Sequence, residues 1–234
     1  MQVTISVGGR FHAFYLAQQL LKRGYLKSLI TSYPKFEVTK YGIPKGKVSS
    51  VIMKELMDKI WYRIPAVIKY FCNPQYLIHE VFDTCASHFY TTSDICVAFS
   101  GFGLHTIKKA KETGAITMIE RGSAHMLWQA QILAEEHEKY GLKFQRASAK
   151  FIEKTLLEYE EADYISIPSL FAKRTFLERG IAEEKLIHVP YGVYLDEFKQ
   201  EPREDTTFRI VYAGGMTLRK GVHYLLKAFS ELNL

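Results

Sequence analysis

The chain has 234 residues, 47% of them hydrophobic, which is enough for a real core. No stretch reaches the roughly 18 consecutive apolar residues of a membrane span, and Met1–Gly8 reads as a first strand rather than a leader peptide. The net charge of +6 is uneven: Lys22 to Lys69 holds eleven basic residues against three acidic ones, a local +8 that leaves −2 for the rest, so one region is built for anionic surroundings.

Gln2 to Val7 reads as a strand, closed by Gly8-Gly9, and Phe11 to Arg23 as a helix ending at Gly24. Leu26 to Thr31 is a second strand and Tyr33 to Lys47 a loop with Pro34, Gly42, Pro44 and Gly46. A short strand, Val48 to Ile52, leads into a long helical region broken at Pro65 and Pro74 that reaches Tyr90. Asp94 to Phe99 is a strand closed by Ser100-Gly101-Phe102-Gly103, followed by a helix to Glu112 that stops at Gly114. Ala115 to Ile119 is a strand, Trp128 to Tyr140 and Arg146 to Ala162 are helices, and Tyr164 to Ile167 is a strand stopped by Pro168. Leu170 to Arg179 is a helix and Lys185 to Val189 a short strand.

Strand and helix alternate throughout, which predicts an α/β fold with a doubly wound parallel sheet. The polar, Pro-containing stretch 200–207 reads as a linker between residues 1–199 and a second unit, 208–234. That unit restarts the pattern: an apolar run Ile210–Ala213, a turn at Gly214-Gly215, the cations Arg219 and Lys220, and a helix with Val222, Leu225, Leu226 and Phe229 on one face.

In a doubly wound sheet, ligands bind at the C-terminal ends of the strands where the strand order reverses. The turns Gly8-Gly9-Arg10 and Ser100-Gly101 would form the floor of that cleft, or serve as turn chemistry alone. The first turn is not G-x-G-x-x-G and the second strand lacks a ribose-binding acid, which argues against a dinucleotide cofactor. Glu120-Arg121-Gly-Ser-Ala-His125 places an acid, a cation and an imidazole just after a strand. His125 either acts there or packs under a following helix. Arg219 and Lys220, at a helix start, suit a diphosphate. The three cysteines, Cys72, Cys85 and Cys96, are not in metal spacing and fit buried thiols of a cytoplasmic protein. No metal is expected.

Met53, Leu56, Met57, Ile60, Trp61 and Ile64 fall on one helical face, with Lys54, Glu55, Asp58, Lys59 and Arg63 on the other. That face is either core-directed or interfacial, against an anionic membrane.

Val189-Pro-Tyr-Gly-Val-Tyr-Leu-Asp-Glu-Phe198, together with Gly214, Arg219-Lys220-Gly221 and Gly8-Gly9, resembles the retaining glycosyltransferases of family 4, which have the GT-B fold. The resemblance covers the whole chain in outline and is strongest after His188. It implies two Rossmann-like domains, the second of them truncated here after its first strand and helix. It implies that Lys220, with Arg219, contacts the donor diphosphate, that Gly8-Gly9 closes over it and that His125 lies near the donor sugar. Gly215 stands where the family often has Arg. The family's paired glutamates belong beyond this chain's end, so Glu153 and Glu161, which have their spacing, are not assigned that role.

The expected activity is therefore sugar transfer with retention, in polysaccharide or glycolipid assembly, with this 234-residue chain inactive alone. The expected partners are a nucleotide-sugar donor as substrate rather than cofactor, a saccharide or lipid-linked acceptor, and peripherally an anionic membrane; nucleic acid is not expected. A subunit completed by a partner chain and a sugar-nucleotide epimerase are the alternatives.

Overall fold

A computed structural model describes residues 1–65, 67, 74–193, 195, 198–202 and 205–232. Cys72, Lys69 and the signature residues Tyr194, Asp196 and Glu197 lie outside this set. The described residues divide into two compact units: 1–126 with 147–190, and 127–146 with 191–234.

The first unit is built on β1 (Val3–Val7), α1 (Ala13–Lys22), β2 (Leu26–Thr31), α2 (Lys35–Thr39), β3 (Val48–Ser50), α3 (Ile52–Arg63) and α4 (Gln75–Phe89). It continues through β4 (Ile95–Phe99), α5 (Leu104–Glu112), β5 (Ile116–Glu120), α7 (Ala149–Glu161), β6 (Tyr164–Ile167), α8 (Leu170–Leu177) and β7 (Leu186–His188); α6 (Met126–Lys139), between β5 and α7 in the chain, belongs from Leu127 on to the second unit. The sheet order is β3-β2-β1-β4-β5-β6-β7, and every pairing is parallel. This is the Rossmann-like, doubly wound arrangement that the alternating pattern predicts, and the strand order reverses between β1 and β4.

Strands of such a sheet are covered on both faces and read as continuous apolar runs. All five residues of β1 are buried. Consecutive residues of β2 serve opposite layers: Leu29 packs with Phe14 and Ala17 of α1, and Ile30 packs with Phe82 and Ala86 of α4. A third cluster joins Ile119 and Ile165 to Phe151 and Tyr159 of α7 and Phe176 of α8. Ser148 caps α7 by accepting from the Phe151 N–H at 3.3 Å.

One local reading changes here and one holds. The loop 33–47 contains the short helix α2, which Pro34 opens because its fixed φ suits a helix start. Helix α3 ends before Pro65, whose ring forces Ile64 into extended geometry (φ −68°, ψ 137°).

In the second unit, a 3₁₀ turn at Leu218–Lys220 leads into α9 (Val222–Glu231), with Gly221 between them at φ +67°. His223 Nε2 lies 2.8 Å from Glu136 of α6, and Lys139 donates to the Tyr224 hydroxyl at 2.7 Å. The apolar run 210–213 forms no strand. A strand needs a neighbour for its N–H and C=O groups, and among the described residues this run has none.

Candidate active site

Parallel pairing brings the C-terminal ends of β1, β2, β4 and β5 to one edge of the sheet. There Thr31 Oγ1 donates to the Gly9 carbonyl at 2.9 Å, and the Ser100 N–H donates to the Glu120 carbonyl at 3.1 Å. Register pairs Phe99 with Glu120, so the side chain of Glu120 emerges beside the glycine turn that follows β4.

The two glycine turns meet. An added Cβ on Gly8 would fall 2.1 Å from Cδ1 of Phe102, so glycine there is demanded by the close approach of the second turn. Phe11, three residues on, sits at φ +40°. That region is uncommon for a bulky residue, and the strain lies in the turn at the switch point. Its ring stacks on Phe99 with centroids 5.9 Å apart and stays 60% exposed.

The turn after β4 is held from below. Glu158 of α7 is fully buried, and its carboxylate accepts the Gly101 N–H at 2.6 Å and the Gly103 N–H at 2.8 Å. Gly101 takes φ +87°, a conformation that glycine adopts without strain. His79 of α4 reaches the Gly101 carbonyl at 3.1 Å and stacks on Phe102 at 3.9 Å. Burial pushes Glu158 up to about 7 against the pull of the two glycine N–H groups. Burial lowers His79 to about 4, opposed by the Gly101 carbonyl.

Next to Glu158, Lys154 spans two acids, 2.7 Å from Glu80 and 2.7 Å from Asp83. Asp83 also accepts the N–H groups of His105 and Thr106, capping the start of α5. Glu80 in turn pairs with His105. Three helices thus meet at one buried ionic cluster behind the turn.

At the open edge, His12 Nε2 lies 3.2 Å from Glu120 Oε1. The His12 side chain is 36% exposed and that of Glu120 only 10%, so a largely buried carboxylate holds an accessible imidazole. His12 also packs on Phe99 with ring centroids 5.0 Å apart. The sequence pattern alone assigns His12 no role. A signal was available, since His12 follows β1 by a few residues as Glu120 ends β5.

The other sequence candidates take distinct places. Arg10 turns toward α2 and donates to the Tyr41 hydroxyl at 2.8 Å. Arg121 folds back on its own loop, donating to the Ala124 carbonyl at 3.1 Å. His125 is 3% exposed, its ring between Tyr159 (5.2 Å) and Phe176 (5.0 Å), and its main-chain N–H donates to Thr175 Oγ1 at 3.0 Å. Burial, with Arg121 and Arg179 adding, lowers its pKa to about 4, which keeps the ring neutral near pH 7. In the second unit, the Tyr212 hydroxyl donates to the Gly215 carbonyl at 2.8 Å, covering the turn at Gly214, and Arg219 and Lys220 sit in the 3₁₀ turn before α9. Among the described residues no group of three or more His, Cys, Asp or Glu side chains is placed to hold a metal ion.

No family model and no curated protein matches the chain. Among solved structures it is similar to UDP-N-acetylglucosamine 2-epimerase from Rickettsia bellii, at 12% identity and a TM-score of 0.48, over 80% of this chain and 44% of that one. It is also similar to a ugt transferase from Siraitia grosvenorii in complex with UDP, at 10% identity and a TM-score of 0.43, over 82% of this chain and 51% of that one. A UDP-glucosyltransferase from Polygonum tinctorium matches at 11% identity and a TM-score of 0.43, over 82% and 52%. The chain spans about half the length of these proteins.

Proposed function

We propose that this chain is the acceptor-side part of a GT-B-type glycosyltransferase that moves a sugar from a nucleotide-sugar donor to a saccharide or lipid-linked acceptor. The observation that carries the reading is the His12–Glu120 pair, set 3.2 Å apart beside the touching glycine turns at the switch point of a Rossmann-like sheet. An acceptor hydroxyl must shed its proton as its oxygen bonds the anomeric carbon. An accessible imidazole is the side chain suited to take that proton near neutral pH, and a neighbouring carboxylate orients it and stabilises the imidazolium. The resemblance at residues 189–198 and 214–221 supports the donor side of the reading. There Lys220 and Arg219, just before α9, would neutralise the departing nucleoside diphosphate.

The same resemblance supports retention and a setting in polysaccharide or glycolipid assembly, whereas direct attack by a hydroxyl deprotonated at His12 would invert the anomeric carbon. The experiment takes the longest reading frame containing this chain and incubates the protein with UDP-, GDP- and ADP-sugars, with and without acceptors. Acceptor-dependent release of nucleotide, lost by about 10²-fold or more in Lys220→Ala, supports the proposal. The anomeric proton coupling of the product separates retention from inversion. Conversion of the donor sugar without acceptor would move the reading to an epimerase, and absence of donor binding would overturn both.

A further inference from the structure

Helix α3 lies with its polar side turned inward. Lys54 points into the protein, 2.8 Å from Asp58, 3.3 Å from Glu55 and 5.7 Å above the Phe102 ring. Ser32 donates to Glu55 at 2.5 Å. Trp61 and Asp58 face α4 across a cavity of about 290 Å³ shared with Ile78 and His79. No residue of α3 is fully buried. The opposite face carries Ile52, Met53, Leu56 and Ile60, each more than half exposed.

Helical spacing sets Lys59 and Arg63 on that outer face and both of the helix's acids away from it. The surface continues past the helix. A shallow groove of about 670 Å³ is lined by Ile52, Phe36 and Phe89 together with Lys35 and Lys45. Apolar side chains flanked by cations, without an acid among the helix residues that face outward, complement a bilayer interface in which acyl chains lie beneath anionic headgroups.

We propose that the outer face of α3, with the groove beside it, is a docking surface for an anionic lipid bilayer: Ile52, Met53, Leu56 and Ile60 enter the interfacial layer while Lys59 and Arg63 meet headgroup charge. The proposal does not draw on the His12–Glu120 pair, so the vesicle test and the transfer assay can fail independently.

The test is co-sedimentation of the full chain with vesicles of phosphatidylcholine alone and of equal parts phosphatidylcholine and phosphatidylglycerol. Binding to the mixed vesicles is expected, weakened by salt. Lys59→Ala with Arg63→Ala should lower the partition coefficient by about 25-fold, at roughly fivefold per cation. Leu56→Glu with Ile60→Glu should abolish binding while circular dichroism and the melting temperature stay unchanged, since both side chains are solvent-facing. Failure to sediment with the mixed vesicles, or equal binding by the glutamate variant, would overturn the proposal. So would a dimer in light scattering that the glutamate variant dissociates, because a second copy would then cover this face.

Discussion

The ring of Phe102 occupies the space that a side chain on Gly8 would need: a Cβ there would stand 2.1 Å from Cδ1. The ring has no easy retreat, because His79 stacks on it at 3.9 Å and Phe82 meets it edge-on at 5.7 Å. Gly8→Ala should therefore destabilise the protein by about 1–3 kcal/mol, the usual penalty for overpacking. Denaturant unfolding measures it. Combining Gly8→Ala with Phe102→Leu should recover part of the loss as a favourable coupling of about 0.5 kcal/mol or more.

Lys154 is 3% exposed and Asp83 is completely buried. Lys154→Met removes the cation and leaves Asp83 facing main-chain N–H groups and Thr106 with no counter-charge nearer than the cluster's rim. The expected loss is about 3–5 kcal/mol. Lys109→Met, which removes a surface pair with Glu112 at 2.7 Å, should stay within about 0.5 kcal/mol.

The buried titratable groups give opposing pH dependences. Glu158, raised by burial to about 7, binds its proton more tightly in the native state than in the unfolded chain. Its contribution to stability is full below its ordinary value of 4.5 and is lost as pH rises through about 7. His79 and His125, both lowered to about 4, behave in the opposite sense. Their contribution is full above 6.5 and is lost as pH falls toward 4. Removing Glu158 leaves the histidines unopposed. Glu158→Gln should thus lose stability more steeply than the parent between pH 7 and pH 5, by up to about 1.4 kcal/mol per pH unit for one proton. Chemical denaturation across that range reads the slope; parallel slopes would refute the assignment.

If His12 takes the acceptor proton, His12→Ala should lower kcat/KM of the complete enzyme by about 10²–10⁴ and leave donor affinity unchanged. Glu120→Gln should keep a hydrogen-bond acceptor for the imidazole but lose the charge, giving a smaller drop. Initial rates with saturating donor, together with donor titration calorimetry, separate the two effects.

The sheet was legible because β1, β2, β4, β5 and β6 are apolar runs bounded by glycine or proline, and the parallel order follows from strand–helix alternation. The places of His12 and Glu120 at strand ends were legible, but their pairing was not, since it needs strand order and register: the residues are far apart in the chain and meet only because β4 lies between β1 and β5. Helix α7 misleads in another way. Its buried positions Phe151, Lys154, Thr155, Glu158 and Tyr159 keep helical spacing, yet two of the five are charged, so the helix reads as a solvated face. In α3 the two faces read from the sequence are redrawn: Lys59 and Arg63 share the exposed face with Leu56 and Ile60, and Trp61 lines the cavity beside α4 with Asp58.

The hydrogen bond from Gly101 to Glu158 closes a loop of 57 residues. Loop-closure entropy must be overcome before such a contact can form, so the turn at the switch point acquires its shape only when α7 docks. The order of the cleft floor is therefore a long-range property of the chain. The Gly101 and Gly103 amides should exchange with solvent only through openings that undock α7, which makes the floor one cooperative unit with the helices behind it.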